Sequence, residues 1–110
     1  MRIDGAIGIA LVDCETGKNL GHLGGGEGLN LDLAAAGNTA VLRSKLKVMR
    51  ALGLDDSIDD ILISLDSQYH LIRPLAGDQG LFLYLALDRK QASLALARHT
   101  LTEVESCLVL

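Results

Sequence analysis

Arg43, Lys47 and Arg50 recur at i, i+4 and i+7, the spacing that lines side chains up along one face of a helix. Three cations in such a row can hold the carboxylates or phosphates of a partner. No Asp or Glu stands between Leu33 and Gly53 to neutralise them along that helix. Two readings stay open for the stripe. It is a solvated face with cations placed favourably toward a helix C-terminus, or it binds a partner.

A second stretch, "GHLGGGEG" at residues 21–28, has the look of a loop that cradles a phosphate. Gly21 and Gly26 satisfy the G-x-x-x-x-G part of that pattern, which then requires Lys followed by Ser or Thr. Glu27 and Gly28 stand there instead, and a carboxylate in the lysine position repels phosphate. The dinucleotide pattern G-x-G-x-x-G fails as well, because Leu29 and Leu31 take the third-glycine positions. The glycines then serve a strand-to-helix turn that uses their free φ.

Metal and nucleophile chemistry find no local support. His22, His70 and His99 fall in different elements, without the close pairing of a zinc site. Cys14 in a turn and Cys107 near a helix end have no neighbouring base in sequence and make no disulfide framework. Asp55, Asp56, Asp59 and Asp60 lack the ligand order and the closing Glu of a calcium loop, so they read as a solvated acidic connector. The sequence therefore predicts no catalytic residue, no metal and no cofactor.

The elements that must position the basic stripe can be read from periodicity. "GAIGIALV" (5–12) alternates, with Ile7, Ile9 and Leu11 on one side and the small Ala6, Gly8 and Ala10 on the other, where a helix can lie close. A turn at "DCETG" (13–17) leads to a weaker strand, "KNLGHL" (18–23). Asn30 or Asp32 can then cap a long helix that runs to about Leu52 and stops at Gly53. On it Ala35, Leu42, Leu46 and Met49 share one arc, with Ala34, Val41, Val48 and Leu52 beside them. That apolar face is wider than packing on one sheet requires. Three strands follow, "ILISLDS" (61–67), "YHLIRPLA" (69–76) and "LFLYLALD" (81–88), the last apolar enough for the sheet centre. Asp88 can cap a final helix with Leu94, Ala97, Leu101, Val104 and Leu108 on one face. The order β-β-α-β-β-β-α with short turns predicts an α+β fold with an antiparallel sheet flanked by helices.

Composition bounds the rest. The chain of 110 residues is one domain, 49% hydrophobic and 22% charged, which excludes disorder and points to a second apolar surface shared with another chain. A formal net charge of -4 argues against general nucleic-acid affinity. The longest stretch without Asp, Glu, Lys or Arg is the ten residues Leu33 to Leu42, about half a membrane span. "MRIDGAIG" carries no signal-peptide cleavage pattern, so the expected location is the cytoplasm.

Together with that element order, "GAIGIALVDCETG", "ILISLDSQYHLIRPLAG" and "LFLYLALDRKQASLALARHTLTEVE" resemble the Roadblock family, of dynein-light-chain type, including its prokaryotic members. The strand ending in Val-Asp before a Gly-containing turn resembles the family's opening hairpin, and "LDRKQASLALAR" its last strand passing into the terminal helix. The resemblance spans nearly the whole chain and rests on a hydrophobic pattern, without catalytic motifs. It implies a profilin-like five-stranded antiparallel sheet between helices, and a homodimer with central helices side by side and third strands paired across the two-fold axis. On this chain, Val41, Leu42, Val48 and Met49 would then join the helix pair, and Ile61, Ile63 and Leu65 the joined strand edge. It further implies a non-enzymatic regulator or scaffold for a small Ras-like GTPase, with Arg43, Lys47 and Arg50 as candidate contacts. The alternative is a sensory or structural module that binds a small ligand or another protein without a GTPase. Only "MRID" precedes the first strand where the family has a helix, which leaves one sheet face open to a further partner or points to a truncated start.

Overall fold

The computed structural model describes residues 4–26, 29–75 and 80–108. Its elements are β1 (Ala6–Asp13), β2 (Asn19–Gly24), α1 (Leu31–Ala51), β3 (Ile61–Ser64), β4 (Gln68–Pro74), β5 (Leu81–Asp88) and α2 (Leu94–Cys107). The strands form a single antiparallel sheet in the order β2-β1-β5-β4-β3, so β5 is central and β2 and β3 are the edges. The expected order and sheet are both present.

β5 explains why the chain folds in three layers. Its residues Phe82 to Leu87 are all buried, and they alternate between two cores. Phe82, Tyr84 and Ala86 join Ala10, Val12, Ala35, Leu42 and Ile72 under α1. Leu83, Leu85 and Leu87 join Ile9, Leu71, Ala97 and Leu101 under α2. Each fully buried side chain of this size contributes about 1.5–3 kcal/mol, so the central strand supplies a share of both cores.

The small face of β1 does what its residue sizes allow. A Cβ added at Gly8 would come within 3.3 Å of side-chain carbons of Leu29 and Leu31, so the start of α1 rests directly on the strand there. A register shift between Ala6 and Gly8 changes one assignment. Ile7 packs with the α1-side cluster and leaves Ile9 and Leu11 on the α2 side.

Of the two caps expected for α1, Asn30 is the one used, its side chain accepting from the Leu33 N–H at 3.1 Å. Two other boundaries differ from the sequence expectation. β3 ends at Ser64, because Asp66 and Ser67 form the hairpin turn closed by Leu65 N–H donating to the Gln68 carbonyl at 2.8 Å. Ser93, not Asp88, caps α2. Asp88 instead accepts from Lys90 N–H at 3.0 Å and holds the tight turn that separates β5 from the helix.

Candidate functional site

The glycine run lies where β2 hands over to α1. Gly24, Gly25 and Gly26 all have positive φ. A Cβ on Gly24 would sit 2.6 Å from the Ile7 carbonyl oxygen, and one on Gly25 would sit 2.9 Å from Leu31 Cδ1. The N–H of Gly25 donates to Ile7 O at 2.9 Å, and Gly26 exchanges two 3.1 Å backbone hydrogen bonds with Leu29. A phosphate loop aims such N–H groups at its ligand, whereas here the chain's own carbonyls take them. Glu27 and Gly28 lie outside the described residues. The adjoining cleft, about 230 Å³, also includes the Asp32 carboxylate, which accepts from Asn19 Nδ2 at 3.0 Å.

α1 is two-sided about a buried middle. Leu42 and Met49 point into the core, at 2% and 7% exposure. At about 100° per residue, Val41 and Val48 lie about 100° to 120° to one side of Leu42. Both are exposed, at 40% and 47%, and Leu52 on the same flank is exposed too. Arg43, Lys47 and Arg50 lie about 80° to 140° to the other side of Leu42. The wide apolar face expected from sequence is thus a core row and a separate exposed row. The basic stripe is on the opposite flank from the exposed valines.

The basic flank borders a cavity of about 440 Å³ against the β1–β2 turn, where Cys14 and Glu15 form the opposite wall. Among the described residues, the ion pairs are Arg73–Glu105 and Arg98–Asp60, with His99 Nε2 2.9 Å from Glu103, and none engages Arg43, Lys47 or Arg50. Burial pushes the Cys14 thiol up, while the Arg43 charge pulls it down and Asp13 and Glu15 push it up further.

The other expected contact residues lie on β3 or just beyond it. Ile61 and Ile63 are half-buried against the α1-side core, and the strand that carries them is an open sheet edge. Leu65 is exposed in the hairpin turn just past the strand, with its carbonyl accepting from Arg89 Nη1 at 3.0 Å. The structure therefore brings Ile61 and Ile63 to the sheet face on which α1 packs. A further apolar spot lies at the β1–β2 corner, where Leu23, paired with Ile9, is largely exposed beside a cavity of about 180 Å³.

Sequence reasoning missed one polar cluster. His70 Nε2 donates to Gln68 Oε1 at 2.8 Å, so its Nδ1 accepts from the Tyr84 hydroxyl at 3.2 Å. The rings meet edge-on, 5.4 Å apart. Burial lowers the His70 pKa and pushes the Tyr84 phenol up to about 12. The pair satisfies a phenol buried in the core; only the β4–β5 register brings the two residues together. Two ion pairs were equally hidden by sequence separation. Arg98 holds Asp60 at 2.9 Å, and Arg73 holds Glu105 at 2.9 Å. Among the described residues no group of three or more His, Cys, Asp or Glu could hold a metal ion, and no helix is long and apolar enough to cross a membrane.

No protein-family model matches the sequence, and no curated protein matches it. Solved structures do match. MglB of Myxococcus xanthus superposes with a TM-score of 0.79 at 14% identity, over 92% of this chain and 72% of that one. A Roadblock/LC7 domain from Streptomyces avermitilis gives 0.81 at 15% identity, over 96% and 83%. The gliding protein MglB of Thermus thermophilus gives 0.79 at 17% identity, over 94% and 76%. These likenesses run through the sheet and both helices, and the chain has the fold of a Roadblock/LC7 domain.

Proposed function

We propose that this chain is a prokaryotic Roadblock-type module that acts as a homodimer in the cytoplasm and binds a small Ras-like GTPase, adjusting its activity or placement without chemistry of its own. The observation that carries the proposal is a pair of unpartnered surfaces, one on α1 and one on the edge of the sheet layer that α1 covers. Val41 and Val48 stand exposed on α1, and β3 leaves its backbone edge open on the side of the sheet where Ile61 and Ile63 pack. An exposed apolar helix flank and an open strand edge are each costly in a lone chain, through hydration of the side chains and the risk of edge pairing. A second copy related by a two-fold axis covers both, with α1 beside α1 and β3 paired to β3.

In that arrangement Leu42 and Met49 brace each helix from behind, while Val41 and Val48 make the contact and Leu65 extends it past the end of β3. The basic stripe, on the opposite flank of α1, stays free for a third protein. Arg43, Lys47 and Arg50 are the contacts assigned to the GTPase. The resemblance to MglB and to a Roadblock/LC7 domain supports this reading at the level of fold.

The test is capture of a Ras-like GTPase from the same organism, loaded in turn with GDP and with a non-hydrolysable GTP analogue, together with its GTP hydrolysis rate. Retention of one nucleotide state supports the proposal. No retention in either state and an unchanged hydrolysis rate overturn it.

A further inference from the structure

The cavity beside the basic stripe does not end there. It shares Cys14 and Leu46 with a second cavity, of about 460 Å³, that continues past the top of the sheet to the loop after α1. One groove thus runs along the α1 flank with three different zones. Arg43, Lys47 and Arg50 make the first zone cationic, offset only by Glu15. The middle is apolar, with Leu46, Ile58 and Leu75 among its walls. Asp56 and Asp59 line the second cavity and not the first, which makes that part of the groove anionic, and the Arg73–Glu105 pair in the same wall is already paired at 2.9 Å.

We propose that this groove docks a short extended segment of a partner protein, carrying carboxylates, then apolar side chains, then a cation. Charge complementarity dictates that order. Carboxylates gain from the cationic zone and are repelled by Asp56 and Asp59, so the segment enters in one orientation. The apolar middle takes one or two side chains from water, the source of affinity that exposed ion pairs alone do not supply. The combined space is of the size that holds several side chains of a ligand. The inference deepens the proposed function, resting on the reading that the basic flank faces the GTPase, and it names the kind of surface the GTPase must present.

Cys14, shared by both cavities, gives the test a built-in reporter. In a Cys107→Ser variant Cys14 is the one remaining thiol, and its alkylation by a maleimide is followed with and without the synthetic peptide Asp-Glu-Asp-Leu-Phe-Lys. At a peptide concentration about ten times its Kd, labelling should slow by about tenfold by mass action. The reversed sequence Lys-Phe-Leu-Asp-Glu-Asp should protect less, and the R43E/K47E/R50E variant should lose protection while keeping its circular dichroism spectrum. Unchanged labelling at millimolar peptide overturns the groove assignment, as does equal protection in the charge-reversed variant. Slower labelling on raising the protein concentration alone also overturns it, because a second copy then fills the groove. Peptide protection without any GTPase capture keeps the groove and sinks the GTPase reading; GTPase capture without peptide protection does the reverse.

Discussion

Val41 and Leu42 are adjacent on α1, yet Leu42 is sealed in the core at 2% exposure while Val41 stands 40% exposed on the flank. Val48 and Met49 repeat the relationship two turns later, at 47% and 7%. One helix thus carries two apolar rows with separate jobs. The inner row holds it to its own sheet, and the outer row is exposed and makes the contact in the proposed dimer.

The two rows should respond differently to substitution. Leu42→Ala removes core packing and should cost about 2–5 kcal/mol of unfolding free energy, read from the urea midpoint. Val41→Asp combined with Val48→Asp should convert the proposed dimer to monomer in light scattering, because a charge buried at the helix pair is costly. It should lower the midpoint only by the lost association, leaving it independent of protein concentration. A double variant that remains dimeric would remove the α1 flank from the interface.

Reversing Arg43, Lys47 and Arg50 to Glu should spare the dimer. With about 0.2–1 kcal/mol lost per exposed pair, GTPase affinity should fall by roughly tenfold. The wild-type affinity should also weaken as salt rises from 50 to about 500 mM, through screening of exposed charges. Titration calorimetry of both proteins checks both effects. Equal affinities would make the stripe a solvated face.

The His70–Tyr84 contact should leave a mark at both ends of the pH range. Burial lowers the His70 pKa, so the unfolded chain takes up the proton more readily. Stability should hold above the ordinary histidine pKa, near 6.5, and decline as pH falls below it. His70→Gln should flatten that decline. Tyr84 titrates near 12 in the fold against about 10 in the unfolded chain. Its contribution is present below pH 10 and is lost between about 10 and 12, and Tyr84→Phe should remove this alkaline slope. Urea midpoints across the range test both signs.

The glycine run makes a mechanical prediction. Gly24→Ala places a Cβ 2.6 Å from the Ile7 oxygen at φ +74°. It should destabilise the fold by about 1–3 kcal/mol. Gly21→Ala meets nothing within 4 Å and should stay within about 0.5 kcal/mol of wild type. A thermal melt that ranks the two the other way would contradict this role for the turn.

Much of this architecture could be read from residue patterns, for reasons that also set the limit. "LFLYLALD" announced the sheet centre because only a strand covered on both faces tolerates apolar residues at every position. The spacing of Arg43, Lys47 and Arg50 put them on one helix face because 3.6 residues make a turn. The same spacing could not divide the broad apolar face into a buried and an exposed row, since that depends on how far α1 reaches across the sheet. Ser93 displaced Asp88 as a cap because the turn at Asp88 used its carboxylate first. Contacts such as Arg98–Asp60 and Tyr84–His70 join residues far apart in the chain, and only the tertiary pairing reveals them.

The most direct test is sedimentation equilibrium of this chain mixed with a Ras-like GTPase from the same organism, run in the GDP state and with a non-hydrolysable GTP analogue. The expected result is a complex whose mass holds two copies of this chain together with the GTPase, formed in one nucleotide state and weakened in the other. Two species that sediment independently in both states would contradict the proposed function.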